Sequence, residues 1–236
     1  MTAAPSSLED ARRVLGECAL FSGLPADERN ALIARAHLRK FVPGDTIFLM
    51  GSPGDSMMAV LSGNIRISVP SPEGKEIVLA ILQPGEVFGE IAVLDGKERS
   101  ADAKAITGDS CLAVLNRRDV MFFFDRHPSA WAALVKVLCE RLRRTDQQFA
   151  EVALMQVPVR LAKAILRLTP PAAGLKGRPK INLSQRELGS MVGATRESVN
   201  KCLSDWQQRG IVSMEDATIT IVDREALEEL AELGLL

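Results

Sequence analysis

Short apolar runs separated by glycines fill residues 41–124, and this pattern restricts the possible folds more than any other feature of the sequence. Strands and turns that recur at intervals of about ten residues are typical of β-barrels and jelly rolls. The tetrapeptide Ser71-Pro72-Glu73-Gly74 suits a hairpin turn, because proline presets φ and glycine accepts a positive φ. The predicted strands cover residues 46–50, 57–61, 65–69, 77–82 and 111–115, with glycines at positions 44, 51, 54, 63, 74, 85, 89, 96 and 108 between or beside them.

Helical patterns flank this β-rich segment on both sides. Residues 8–39 have helical character that the sequence Ser-Gly-Leu-Pro interrupts at 22–25. A long helix follows over about 128–156, where Pro128 suits the first turn and Pro158 ends the helix. The chain thus passes from a β-rich part into a long helix.

The last part of the sequence is again helical, with one β-hairpin. The pattern predicts a helix over 159–168, an exposed loop over 169–180, two short helices, a hairpin over about 211–222 and an acidic amphipathic helix over 224–236. We therefore expect an α+β fold with three parts, which are residues 1–127, 128–156 and 157–236.

The long helix carries a heptad seam, in which apolar residues alternate at spacings of four and three. The seam residues are Trp131, Val135, Leu138, Leu142, Thr145, Phe149, Val152 and Gln156. This pattern favours a parallel homodimer over a single helix packed on its own domain, although both readings stay open. Thr145 is the one polar residue between Trp131 and Val152, so it either bonds its own backbone or faces a polar group from outside the chain.

Charge is distributed unevenly although the net charge is only −1. Residues 157–212 hold ten basic and three acidic side chains, whereas residues 215–236 hold seven acidic side chains and one arginine. A basic block of this kind is a plausible footprint for nucleic acid, although a solvated charged surface looks similar.

The basic block contains the local signals of a helix-turn-helix over residues 183–203. Ser184 and Glu187 form a capping box for a first helix, Gly193 suits a turn that needs positive φ, and Thr195 can cap a second helix. Helical spacing then places Leu188, Met191 and Val192 of the first helix inward, together with Val199, Cys202, Leu203 and Trp206 of the second.

The outer face of the second helix has the residues that read bases in a major groove. Arg196 and Lys201 can donate to guanine, and Glu197 can accept from cytosine. An ordinary helical hairpin with a charged surface is the alternative. The full set of candidate DNA-binding residues is Arg196, Glu197, Ser198, Asn200 and Lys201, with Ser184 and Gln185 at the start of the first helix, which spans the DNA backbone.

A second informative stretch, residues 88–101, suits an anionic ligand. Gly89 allows close approach of the backbone, the following N–H groups in a short helical turn point at an anion, and Arg99 offers a guanidinium fork. Ser100 adds a hydroxyl donor, and Glu90 can accept from the single free ribose hydroxyl of a 3′,5′-cyclic nucleotide. Taken singly, Glu90 and Arg99 read as surface charges, but Gly-Glu followed after eight residues by Arg-Ser inside a β-barrel is a strong signal of a ligand site. The candidate set also includes Ile91, Ala92 and Leu82.

Taken together, these motifs resemble the cyclic-AMP receptor protein/fumarate-nitrate regulator (CRP/FNR) family over about residues 21–222. They are Gly-Glu followed after eight residues by Arg-Ser at 89–100, Arg-Leu-Arg-Arg-Thr-Asp at 141–146, and Val-Gly-Ala-Thr-Arg-Glu-Ser-Val at 192–199. The resemblance implies a β jelly-roll cyclic-nucleotide-binding domain, a dimerisation helix and a C-terminal winged helix-turn-helix. It also implies that Gly89, Glu90, Arg99 and Ser100 hold sugar and phosphate, and that the base meets Thr145 of one subunit and Asp146 of its partner.

Two departures from the family bear on specificity. Asp146 stands where the best-known cyclic-AMP sensor has serine, and a carboxylate can accept from adenine or from guanine, so cAMP and cGMP are both candidate allosteric effectors. Lys201 replaces the usual arginine and has no fork, so base preference there is expected to be looser. A regulator of the same fold that answers to no nucleotide is a further alternative.

Other classes of function have little support in the sequence. Two histidines and four scattered cysteines without Cys-x-x-Cys spacing argue against a metal centre, an iron–sulfur cluster or a disulfide framework. The candidate pocket has no nucleophile–base pair, so an enzyme is not expected. No apolar run spans a membrane and residues 1–10 do not resemble a signal peptide, so we expect a cytoplasmic protein.

The expected partners are double-stranded DNA with a palindromic site and a second copy of the chain. The loop at 170–180 resembles in position the family's polymerase-contacting loop, which makes RNA polymerase a candidate partner. We expect the ligand to favour one arrangement of the two subunits, in which their helix-turn-helix motifs enter major grooves about 34 Å apart.

Overall fold

The β-rich segment folds into one curled, jelly-roll-like antiparallel sheet, as predicted. The structure is a computed structural model that describes residues 14–16, 18, 25–71, 76–169, 179–181, 183–215 and 218–232. The chain separates into two compact units, Met1–Arg143 and Arg144–Leu236. The division into residues 1–127, 128–156 and 157–236 remains a prediction.

The first unit consists of a six-stranded sheet and the helices beside it. Its elements are α1 (Ala26–Ile33), β1 (His37–Phe41), β2 (Thr46–Phe48), β3 (Ser56–Pro70), β4 (Glu76–Leu82), β5 (Val87–Phe88), α2 (Glu90–Asp95), β6 (Asp102–Asn116), α3 (Arg117–Arg126) and most of α4 (Pro128–Leu154). The strand order is β1-β6-β3-β4, and β2 pairs with β6 while β5 pairs with β3. All pairings are antiparallel.

Both faces of the sheet are buried along the first part of β3, residues 56–61, which explains the continuous apolar run there. In β3, Met57 and Ala59 belong to a cluster that packs against the helices, whereas Met58 and Val60 belong to a second cluster on the opposite face. Successive side chains of a strand point to opposite faces, so a strand that is covered on both sides needs an unbroken apolar run.

The prediction of separate strands at 57–61 and 65–69 was wrong, because both belong to β3. Gly63 has φ +78, and the pairing of β3 with β6 shifts register on both sides of it. A Cβ at Gly63 would overlap Ser110. The glycine therefore forms an irregularity inside one strand, as in a β-bulge, instead of a turn between two.

Two other predictions need correction. The all-β reading of residues 41–124 missed α3, whose Val120, Phe123 and Phe124 are buried at helical spacing. The helical reading of 8–39 extended too far, because residues 37–39 lie in β1, where long-range pairing with β6 overrides local preference. The turn at 72–74 and the helical residues before 14 lie outside the described residues.

The second unit contains the C-terminal end of α4, then α5 (Val157–Leu168), β7 (Lys180–Ile181), α6 (Gln185–Val192), α7 (Arg196–Gln208), β8 (Val212–Glu215), β9 (Thr218–Ile221) and α8 (Arg224–Glu232). The three strands form an antiparallel sheet in the order β7-β9-β8, and the predicted hairpin is confirmed. Residues 170–178, which include most of the loop, and residues 233–236 lie outside the described part.

A buried ion pair ties the end of α4 to α5. Both carboxylate oxygens of Glu151 accept from Nη1 of Arg167 at 2.9 Å. Arg160 is also buried and donates to the carbonyl of Val152 at 3.1 Å. These contacts set the direction of α5 after the break between the two helices.

Candidate functional site

Gly89 makes the turn between β5 and α2 that the candidate site needs. Its φ is +76, in the left-handed region, and it is the N-cap of α2. A Cβ at this position would lie 2.6 Å from Nη1 of Arg99 and 3.2 Å from the carbonyl oxygen of Ser56. Glycine is therefore required both by the backbone conformation and by the close packing.

The loop before β3 packs against α2 through a second glycine. A Cβ on Gly54 would overlap the Cβ of Ala92 and lie 2.9 Å from the carbonyl oxygen of Lys97. This close approach fixes the position of α2 relative to β3, so the N-terminus of α2 has a defined place.

Arg99 lies beneath this turn and is only 4% exposed. Its Nη1 donates to the carbonyl of Gly89 at 2.9 Å, and its Nη2 donates to Oγ of Ser56 at 3.0 Å. Its Nε is buried and has no hydrogen-bond partner among the described residues. Burial lowers the pKa of the guanidinium, and the nearby carboxylates of Asp55 and Glu90 oppose that shift.

Glu90 is the first residue of α2 and is 1% exposed. Its Oε1 accepts from Nη1 of Arg141 at 2.6 Å, and Arg141 also donates to the carbonyl of Val87. Its Oε2 is buried and has no partner among the described residues. We call Gly89, Glu90, Arg99 and the N-terminus of α2 the anion cradle.

The anion cradle therefore has one buried acceptor atom and one buried donor atom without a partner, which are Oε2 of Glu90 and Nε of Arg99. The alternative that Glu90 and Arg99 are ordinary surface charges does not hold, because the fold buries both. A buried polar atom without a hydrogen-bond partner is costly, so this arrangement suits a ligand that has both a hydroxyl donor and an anionic acceptor.

The predicted helix-turn-helix is present in the second unit. Ser184 and Glu187 form a complete capping box, and Gly193 has φ +61 at the end of α6. Oγ1 of Thr195 accepts from the backbone N–H of Ser198 at 3.2 Å and caps α7. A Cβ on Gly189 would lie 2.7 Å from the carbonyl oxygen of Ala194, so the turn packs tightly on the first helix.

Two family profiles match the chain. One is the cyclic nucleotide-binding domain, over residues 38–127, and the other is the Crp-like helix-turn-helix domain, over residues 159–230. The chain belongs to the CRP/FNR family of transcription regulators. It is not an enzyme, since its domains and relatives are those of transcription regulators.

Several relatives of this CRP/FNR regulator resemble it over nearly their whole length. A CRP-like cAMP-activated global transcriptional regulator of Mycobacterium tuberculosis is 34% identical over 223 residues, which are 92% of this chain and 98% of that protein. The cyclic AMP receptor protein of Thermus thermophilus is 32% identical over 212 residues, which are 90% and 96%. A crystal structure of a CRP/FNR transcriptional regulator from Thermus thermophilus has a TM-score of 0.71 and 30% identity, and covers 83% of this chain and 98% of that one.

The other predicted ligand residues of the CRP/FNR regulator vary in exposure. Ala92 and Leu82 are buried, Ile91 is 48% exposed and Ser100 is exposed. Thr145 and Asp146 are exposed on α4 and belong to the second unit, so their place in the site still rests on the family pattern. The roles of all these residues remain predictions.

Three residues around the anion cradle were missed by sequence reasoning. Arg141 was noted only within the motif of the long helix, although it is the cation bound to Glu90. Ser56 and Phe48 contact the Arg99 guanidinium but lie 43 and 51 positions before it. Only the motif of Arg141 could have indicated its role, because Ser56 and Phe48 lie in no recognisable pattern.

The predicted outer face of α7 is exposed, as the helical spacing indicated. Arg196, Glu197, Asn200 and Lys201 are all exposed, whereas Val199, Leu203 and Trp206 are buried. Ser184 is exposed, and Gln185 and Ser198 are half-buried.

Local hydrogen bonds involve two residues on the exposed face of α7. Nε2 of Gln185 donates to Oδ1 of Asn200 at 3.1 Å, which links the start of α6 to α7. Hydrogen bonds from its own backbone and from the side chain of Thr195 lower the pKa of Glu197, which favours its charged, accepting form.

A groove of about 540 Å³ separates α6 from the β8–β9 hairpin. Ser184, Gln185, Arg186 and Arg196 line one part of it, and Thr218 of β9 lies in its lining as well. The family profile implies that this domain binds DNA.

The described residues contain no group of three or more histidine, cysteine or acidic side chains that could hold a metal ion. Among the same residues, no helix has the length and apolar character needed to span a membrane.

Proposed function

We propose that this chain is a cAMP-responsive, sequence-specific DNA-binding regulator that acts as a homodimer. The observation that carries the ligand assignment is the pair of unpartnered buried atoms in the anion cradle, Oε2 of Glu90 and Nε of Arg99. A ribose 2′-hydroxyl can donate to the first, and a phosphate oxygen can accept from the second. A cyclic nucleotide holds these two groups on one rigid ring system.

The free-energy cost of burying unpaired polar groups supports the same assignment of a cyclic nucleotide as the ligand. Each buried polar group without a partner costs about 1–3 kcal/mol, and more when it is charged. A ligand that satisfies both groups recovers that cost as binding free energy. An apolar ligand would recover none of it, so its binding is disfavoured in the same place.

The choice of base depends on Thr145 and Asp146. The adenine 6-amino group and the N1–H and N2–H₂ groups of guanine can all donate to a carboxylate. We favour cAMP because the named relatives from Mycobacterium tuberculosis and Thermus thermophilus are cAMP proteins. The carboxylate of Asp146 keeps cGMP as the second candidate.

The exposed seam of α4 supports the homodimer. Val135, Leu142, Phe149 and Val152 are each between 50% and 74% exposed in the single chain. The earlier seam residues Trp131 and Leu138 instead pack partly against the core of the first unit. The apolar surface on the rest of the helix is what a second copy would cover.

DNA recognition would follow from the dimer. We infer that Arg196, Glu197 and Lys201 read base edges, while Ser184 and Gln185 contact the backbone. The nucleotide would stabilise the arrangement in which the two helix-turn-helix motifs of the dimer fit a palindromic site. Linkage then requires that specific DNA tighten nucleotide binding by the same factor as nucleotide tightens DNA binding. The polymerase contact at 170–180 remains a prediction, because residues 170–178 lie outside the described part.

The test is a DNA titration with a palindromic and a scrambled site, in the absence of nucleotide and with cAMP or cGMP. We expect cAMP to tighten binding to the palindrome, and Arg99→Ala to abolish this response while the protein stays folded. Arg118→Ala is the matched control, because Arg118 is an exposed arginine in α3. Equal affinity for the palindrome in all conditions would contradict the proposal.

A further inference from the structure

Phe48 lies directly beneath the guanidinium of Arg99. The Cζ atom of Arg99 is 4.3 Å from the centroid of the Phe48 ring. Phe48 is the last residue of β2, which pairs with β6, and its ring packs at 5.8 Å from that of Phe88 in β5. The ring therefore has fixed support from two strands.

The two hydrogen bonds of Arg99 fix the position of its guanidinium more firmly than the tilt of its plane. The carbonyl of Gly89 and the hydroxyl of Ser56 each accept one N–H, and these two points define a line through the guanidinium edge. A small tilt of the plane about that line would keep both hydrogen bonds roughly intact. All five N–H groups lie in this plane, so the tilt decides where the remaining donors point.

Contact with an aromatic face limits this tilt. A cation is attracted to the face of a ring, and a planar guanidinium stacks on it. The Phe48 ring thus restrains the tilt of the plane, and with it the direction of the unpartnered Nε–H and of the remaining N–H groups. This attraction is strong here because Arg99 is buried.

We propose that Phe48, together with Ser56, is a positioning residue for the phosphate of the effector and acts through Arg99. The proposal rests on the proposed function, since it concerns the same cradle. Phe48 would not touch the nucleotide. It would determine which phosphate oxygen receives the N–H groups of Arg99, and so the geometry of recognition.

The test compares three variants at or beside this position. Phe48→Leu removes the aromatic face, Phe48→Tyr keeps it, and Ile47→Val is the control for packing. Ile47 adjoins Phe48 in β2 and packs against the same core cluster, but its aliphatic side chain offers no aromatic face. Calorimetry on the full chain measures the Kd for cAMP and for the two phosphorothioate diastereomers of cAMP, in each of which sulfur replaces a different phosphate oxygen.

We expect Phe48→Leu to weaken cAMP binding by about tenfold, which is the loss of a buried cation–π contact. The ratio of the two phosphorothioate Kd values should fall towards one, because a loosened Arg99 no longer selects one oxygen. Phe48→Tyr should restore the wild-type ratio, and Ile47→Val should keep it. A purely structural loss would weaken both diastereomers equally.

Two results would overturn the inference. One is wild-type cAMP affinity in Phe48→Leu, and the other is a diastereomer ratio that is equal in Phe48→Leu and in wild type. Either can occur while the wild-type chain binds cAMP and the proposed function stands. Failure of the wild-type chain to bind cAMP or cGMP would instead refute the proposed function, and the inference with it.

Discussion

The ion pair between Glu151 and Arg167 predicts an asymmetric response to mutation. The side chain of Glu151 is 4% exposed, whereas that of Arg167 is 38% exposed. Arg167→Met would leave a buried carboxylate with only the Nε2 of Gln147, at 3.4 Å, as a described hydrogen-bond donor. Loss of one partner from a buried pair costs about 3–5 kcal/mol, so we expect a destabilisation of that size.

The reciprocal substitution, which replaces Glu151, should destabilise the protein much less. Glu151→Gln keeps the size and an acceptor oxygen, and the stranded Arg167 can reach water because it is more than one-third exposed. A guanidinium that keeps its water loses little when its partner is removed, as in exposed pairs worth about 0–1 kcal/mol, so the expected cost is about 1 kcal/mol. The two variants should therefore differ by about 2–4 kcal/mol, although they break the same contact.

Urea unfolding can measure this difference in the second unit alone. The chain has two tryptophans, and a Trp131→Phe background leaves the buried Trp206 of α7 as the only reporter. Arg209→Met is the control, because Arg209 and its partner Asp205 are both more than half exposed. Its effect should stay within about 0.5 kcal/mol.

Equal costs for Arg167→Met and Glu151→Gln, or a larger cost for Glu151→Gln, would refute this reasoning. The first outcome would mean that water reaches Glu151 in the folded protein. The second would mean that the uncompensated guanidinium, instead of the carboxylate, dominates the free energy.

Three further predictions concern the anion cradle and the helix-turn-helix. Gly54→Ala should weaken cAMP binding more than tenfold by calorimetry, because its Cβ would displace α2, and unchanged affinity would contradict that packing. Thr195→Ala should destabilise the second unit by about 1 kcal/mol in urea, as loss of an N-cap does, and should raise the NMR-measured pKa of Glu197. Glu197→Ala should broaden base preference in a binding-site selection more than it weakens overall binding, and an unchanged preference would count against base reading by this residue.

The helix-turn-helix could be predicted almost completely from the sequence. The capping box of Ser184 and Glu187, the positive φ of Gly193 and the cap of Thr195 all depend on contacts within four residues. Such contacts form in much the same way in any fold, so their residue types identify them. The buried and exposed faces of α7 follow from helical spacing alone.

The strands were predicted less well, because pairing is a long-range property. Gly63 reads as a turn in the sequence, but β3 continues through it, since β6 pairs with residues on both sides. The burial of Glu90 and Arg99 has the same origin. No local pattern distinguishes a charged residue beneath a turn from one on a surface.

The sequence by itself indicated candidate residues for the two sites, and it determined the caps and turn of the helix-turn-helix and the helical spacing that separates its inner from its outer face. Only the tertiary structure decided which atoms of Glu90 and Arg99 stay without partners, and that Phe48, Ser56 and Arg141 surround them. These contacts join residues 43 to 51 positions apart in the chain. Their geometry depends on how strands and helices pack, and the identities of two distant residues say little about whether the fold brings them together.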